Sequence, residues 1–158
     1  MNQLYFGKLL VLKKIKSFLR DKSINQNNNI VKIDNLILIG EQNQITIFQI
    51  LNNKIKFYTY KDDDLGNVFA LNTFYNYGNN LLLAGSDLGF VFIFEICGDG
   101  NEVSLKNINI MRNNKKALKG RTNYSITCLT TYDHYIIVSS IDKLIKMYTD
   151  KFRYISFN

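Results

Sequence analysis

Three segments of this chain carry one hydropathy pattern: LILIGEQNQITIFQI (Leu36 to Ile50), LLLAGSDLGFVFIFEI (Leu81 to Ile96) and YIIVSSIDKLIKMYTD (Tyr135 to Asp150). In each, an apolar run ends in a small polar turn, and a second apolar run closes on an aromatic residue. The closing aromatics are Phe48, Phe94 and Tyr148, spaced by 46 and then 54 residues. A self-similar period of roughly 40–50 residues marks an array of supersecondary units, each too small to bury its own apolar face. The constraint is therefore strong: small antiparallel sheets must lie against one another, and the product is a stack that presents surface.

Around each pattern the alternation of apolar and turn residues predicts four short strands in meander order. They fall near 29–33, 36–41, 45–50 and 54–60 in the first copy, and near 67–74, 80–86, 90–96 and 102–110 in the second. The third copy has them near 125–131, 134–140, 144–149 and 152–157. Asp87 and Gly89 supply the turn chemistry of a tight hairpin. A sheet buried on one face alternates apolar and polar positions, but FVFIFEI is apolar almost throughout, which requires cover on both faces. The fourth strands, KIKFYTY and EVSLKNINI, are more polar, as outer edge strands should be.

LLLAGSDLGFVFIFE resembles the second and third strands of a WD-repeat blade, in which a Gly-Ser-x-Asp turn precedes a strand ending in Trp-Asp. LKGRTNYSITCLTTYDHYIIVSSIDKLIKMYTD resembles the whole repeat: Gly120 stands at the Gly-His position with Arg121 in place of His, and Ser139 and Ser140 at the small strand end. Asp142 stands at the turn Asp, and Tyr148-Thr149 replaces Trp-Asp. In that family a His, a Ser or Thr, an Asp and a Trp form a hydrogen-bonded network that pins each blade. The third copy keeps the hydroxyl and Asp142 without the His or the Trp. The second has Leu88 and Phe94, and the first Gln42 and Phe48, at the Asp and Trp places. Phe donates no hydrogen bond, so those two units must hold by packing.

The expected fold is thus all-β, with about three four-stranded antiparallel propeller blades over 29–60, 67–110 and 120–157, a partial β-propeller. Residues 25–158 form the blade region. Residues 1–24 form a basic segment, read either as the outer strand of a preceding blade or as a covering helix. Propellers typically close with 4–8 blades, so three leave apolar faces that a second copy or another chain would cover to complete the ring.

The 158 residues are 46% apolar and 13% aromatic and include no proline, which excludes a disordered or linker-like chain. Cys97 and Cys128 are far apart, give neither a zinc pattern nor a redox pair, and are expected as buried free thiols. No apolar run approaches the 18 residues of a membrane span, and no classical signal peptide opens the chain. A cytoplasmic or nuclear protein without membrane contact is expected.

No catalytic constellation emerges, so the chain is expected not to be an enzyme. The sole histidine, His134, sits beside Asp133 in a turn between strands. Asp62-Asp63-Asp64 lacks the spacing of a calcium loop and reads as a solvated acidic turn. The CGDG turn at Cys97 to Gly100 lacks the strand-to-helix context of a phosphate loop. No metal and no cofactor are expected. The resemblance implies a non-catalytic scaffold whose rim loops bind other proteins, with Glu41, Asp87, Arg121 and Asp142 as the charged rim candidates. The alternative is an RNA-binding component of a ribonucleoprotein. It rests on the net charge of +7 and on two basic runs, which offer Lys13, Lys14, Lys16, Lys115, Lys116 and Lys119 as a candidate patch, with Tyr5, Phe6 and Tyr124 nearby.

Overall fold

In a computed structural model the described residues are 29–51, 54–76, 78–98, 102–113 and 124–155. They form twelve strands in three four-stranded antiparallel sheets, with no helix among them. The first sheet holds β1 (Ile30–Ile33), β2 (Leu36–Glu41), β3 (Gln44–Leu51) and β4 (Lys54–Lys61) in chain order. The second holds β5 (Val68–Asn76), β6 (Asn79–Ser86), β7 (Phe90–Gly98) and β8 (Val103–Arg112), and the third β9 (Ile126–Tyr132), β10 (Tyr135–Ser140), β11 (Ile145–Thr149) and β12 (Tyr154–Ile155). The expected strands and their meander order are those observed. β4 and β8 occupy sheet edges, where their polar alternation fits an exposed outer ladder. The basic segment 1–24 and the runs containing Lys13 and Lys115 lie outside the described residues.

The three sheets stack, and the middle one is buried on both faces. Leu82, Ala84, Phe92 and Phe94 meet Leu36, Leu38, Ile45 and Ile47 of the first sheet in one apolar layer. Leu81, Leu83, Val91 and Ile93, which point the other way, meet Ile126, Leu129, Ile136, Val138 and Tyr148 of the third sheet in a second layer. The period-2 geometry of a strand sends neighbours to opposite faces. A continuous apolar run is therefore what a doubly covered strand such as β7 needs. The closing aromatics Phe48, Phe94 and Tyr148 are all buried. Phe94 stacks on Phe92 at 6.3 Å and takes the edge of Tyr60 from the first sheet at 4.9 Å.

One contact repeats between sheets. Gly40 pairs with Ile45, Gly85 with Val91 and Ser139 with Ile145, so these three occupy one position in the second strand of each sheet. A Cβ on Gly40 would stand 2.4 Å from Val68 Cγ1, and one on Gly85 would stand 2.4 Å from Ile126 Cγ2. Each glycine thus makes room for a β-branched residue at the start of the next sheet. Val68 and Ile126 also sit at matching register shifts, between Val68 and Ala70 opposite β6 and between Ile126 and Cys128 opposite β10. A bulge tightens local twist and re-aims side chains, which turns both residues into the preceding sheet.

The same bulge corrects the expectation of buried thiols. Cys128 pairs with Ser139 on the face of the third sheet that points away from the second, and it is exposed; Cys97 is half-buried near the end of β7. Both are free, as expected.

Candidate partner-binding rim

The tight turns within the sheets and the connections between them gather at one end of the strands. Asn43 N donates to Gly66 O (2.8 Å) and Asp62 N to Asn43 O (3.0 Å), which ties the β4–β5 connection to the β2–β3 turn. Asp87 N donates to Asn67 O (2.9 Å) and Asn113 N to Gly89 O (3.0 Å), which ties the β6–β7 turn to both flanking connections. Ile141 N donates to Ser125 O (3.0 Å) beside the β10–β11 turn. Gly89 (φ 81°) and Lys143 (φ 64°) hold the left-handed position of equivalent turns.

The candidate rim acids are placed here, and each is engaged in local structure. Glu41 accepts from Gln44 Nε2 (2.7 Å) and from Thr46 Oγ1 (2.5 Å). Asp87 is buried, and its carboxylate accepts from Asn67 N (3.0 Å) and Asn67 Nδ2 (2.6 Å), clamping the start of the second sheet. Its carbonyl accepts from Ser125 Oγ (2.9 Å), the residue that leads into the third sheet. Asp142 accepts from Ser140 Oγ (2.5 Å) and Leu144 N (3.3 Å). Arg121 lies outside the described residues, as do Lys13, Lys14, Lys16, Lys115, Lys116 and Lys119.

A buried polar chain that composition did not point to runs through the third sheet's turn. Tyr148 OH donates to Asn113 Oδ1 (3.0 Å), Asn113 Nδ2 donates to Ser140 Oγ (2.9 Å), and Ser140 Oγ donates to Asp142 Oδ1. Lys146 Nζ also donates to the Asn113 carbonyl. Burial first, then the neighbouring Tyr154 and Asp142, push the Tyr148 phenol up to about 12, so it stays a donor throughout the physiological range. In an Asn-rich chain no single Asn stands out, so Asn113 carried no signal in the sequence. At the matching place in the second sheet the chain is absent: Ser86 Oγ is buried and lacks a hydrogen-bond partner among the described residues. Leu88 and Phe94 replace the acid and the phenol, and Asp62 accepts instead from Tyr60 OH (3.1 Å). The Tyr60 phenol is raised by burial and by Asp62, against a smaller opposing effect of Asn107.

Beside that turn a cleft of about 220 Å³ opens between the β4–β5 connection and the second sheet, lined by Asp64, Leu88, Phe90, Phe92 and Ile110. The walls are apolar apart from Asp64, and Asp62 and Asp63 precede it in the same connection. The Arg112 guanidinium lies 5.5 Å from the Phe90 ring centroid, a cation–π contact. Chemically the cleft suits one apolar side chain with a cationic end. At the opposite end of the strands, His134 faces solvent with Asp133 at 3.4 Å and Asp150 at 3.9 Å. Its turn is the one expected from the sequence. Among the described residues no three His, Cys, Asp or Glu side chains gather as a metal-binding group.

No protein-family model and no curated protein matches this sequence. Among solved structures, the chain is similar to the computationally designed Ika4 protein, known from a crystal structure, at 13% identity and a TM-score of 0.38. That match spans 81% of this chain and 94% of the designed one. At this TM-score the likeness carries no argument about function.

Proposed function

We propose that this chain is a non-catalytic, WD-repeat-like scaffold whose three sheets are consecutive blades of an incomplete propeller, and that its rim binds other proteins. The observation that carries the reading is the chain from Tyr148 through Asn113 and Ser140 to Asp142. It has the four roles of the family's blade-pinning network. The Tyr148 hydroxyl stands for the Trp donor, Asn113 stands for the His, and Ser140 and Asp142 keep their own places. The contacts of β1 and β2 with β5, and of β5 and β6 with β9, add support, because first strands that approach one another are what a radial stack needs.

On this reading Glu41, Asp87 and Asp142 shape the rim, and the cleft beside Leu88 and Phe90 takes a side chain of the partner. A peptide residue with an aliphatic stem and a positive end fits its apolar walls and its acidic border. Panning a phage-displayed peptide library on the intact chain tests this. The expected result is a recurring motif with Lys or Arg next to an apolar residue, bound less tightly by Asp64→Lys and by Leu88→Glu. A motif indifferent to both variants, or no enriched motif, would refute the rim reading. Labelled RNA retained at low salt and released steeply as salt rises would favour the ribonucleoprotein alternative.

A further inference from the structure

The third sheet is covered on one face and bare on the other. Tyr135, Ile137, Ser139, Ile145 and Met147 stand where Leu81, Leu83, Gly85, Val91 and Ile93 stand in the second sheet, by the same hairpin register. The second-sheet apolar set is buried against the third sheet. Its counterparts meet solvent: Ile145 is 76% exposed and Tyr132, on the same face of β9, is 73% exposed. With Cys128, Thr130 and Thr149 this face carries no charged residue among its ladder positions. An uncharged apolar face has little to offer a phosphate backbone.

We propose that this face is a two-fold interface that binds a second copy of the chain, sheet on sheet. Two observations choose the occupant. First, the far face of the first sheet is already closed, since Ile39, Thr46 and Phe48 are buried there. Copies joined head to tail, third sheet onto first, would need that face open. Second, the bare face is self-complementary. Ile145 projects as a knob directly across the ladder from Ser139, whose small side chain, hydrogen-bonded to Thr127 Oγ1 at 2.9 Å, leaves a hollow where Gly85 leaves one for Ile126. Knob and hollow lying side by side on one face is the arrangement an isologous contact uses, each copy placing its knob in the other's hollow. Strands about 4.8 Å apart that rise about 3.3 Å per residue give a face of about 400 Å² in flat area. Side-chain relief brings the total for two copies to roughly 1,000–1,200 Å², at the lower bound of specific interfaces. The contact is therefore a reversible dimer.

Sedimentation velocity over a concentration series tests the proposal on the intact chain. The expected result is a concentration-dependent species of twice the 18.4 kDa chain mass. Ile145→Asp removes the knob and Ser139→Tyr fills the hollow; each should weaken the dimer by at least about 30-fold, as for a central anchor residue. Phe57→Asp, which alters an equally exposed apolar residue of the first sheet (72%), should leave it unchanged. Far-UV circular dichroism checks that each variant stays folded. A dimer that survives both face variants overturns the proposal. So does a monomer at every concentration, and thiol labelling of Cys128 in a Cys97→Ser background then says what the face does instead. Slow labelling would assign the cover to another part of the same chain, and fast labelling would leave the face to a different polypeptide.

Discussion

Gly85→Ala is the most incisive perturbation of the stacked-sheet account. The added methyl would lie 2.4 Å from Ile126 Cγ2, 2.8 Å from Ile126 Cβ and 3.3 Å from Leu129 Cδ1. The first two distances are far inside van der Waals contact, and Ile126 is fully buried at a bulge, so it has no open space to enter. The third sheet must therefore lift or Ile126 must leave its rotamer. Overpacking of this kind costs typically about 1–3 kcal/mol. With a β-branched neighbour on backbone that belongs to a different sheet, about 3 kcal/mol is expected. Ile126→Ala alone leaves a cavity and costs about 2–5 kcal/mol. The double variant should cost at least about 1 kcal/mol less than the sum of the two, because each change relieves the other. Equilibrium unfolding in urea measures all three. Ser139→Ala, at the matching position on the bare face, sets the baseline and should change stability by no more than about 0.5 kcal/mol. A Gly85→Ala variant as stable as the parent, or strictly additive energies in the cycle, would refute the interlocking of the second and third sheets.

The polar chain of the third sheet gives a contrasting pair. Asn113→Ala strands the Tyr148 hydroxyl and Ser140 and should cost about 1–3 kcal/mol, whereas Ser86→Ala, which removes a hydroxyl that has no partner among the described residues, should be neutral or stabilising by up to about 1 kcal/mol in the same urea titration. Because the Tyr148 phenol is raised in the folded chain, its stabilising effect is complete below the unfolded value near 10 and is lost as pH climbs from about 10 to about 12. Tyr148→Phe should remove that part of the alkaline slope in thermal melts taken across this window, and an unchanged slope would contradict the assigned burial. Lys143 holds a left-handed conformation that Gly89 fills in the equivalent turn, so Lys143→Gly should raise stability by about 1 kcal/mol; a loss would mean that its side chain is bound.

Much of the fold was legible because hydropathy in strands is a local signal. Each run of five to eight apolar residues bounded by a polar turn became a strand, and the unbroken apolarity of FVFIFEI foretold cover on both faces of β7. The glycines were visible too, but only as turn or strand-end residues. That Gly40 and Gly85 accommodate Val68 and Ile126 depends on packing between units 28 and 41 residues apart in sequence, which no local window contains. Cys128 was misjudged for the same reason. A one-residue bulge reverses the facing of every later position in a strand, and the bulge is fixed by the neighbouring sheet. Of the rim, Asp142 was readable from its turn, while its distant partner Asn113 was not, because it reaches Ser140 from the end of a different sheet. The cleft at Asp64 and Phe90 also joins elements from separate units, so its residues had no common motif to betray them.

Nuclear Overhauser contacts in the intact chain bear most directly on the claim that these units interlock one on the next. The account predicts cross-peaks from the Gly85 Hα protons to the Ile126 Cγ2 methyl, and from the Gly40 Hα protons to the Val68 Cγ1 methyl. Their absence, with Ile126 instead facing the first sheet as a single closed barrel would place it, would contradict it.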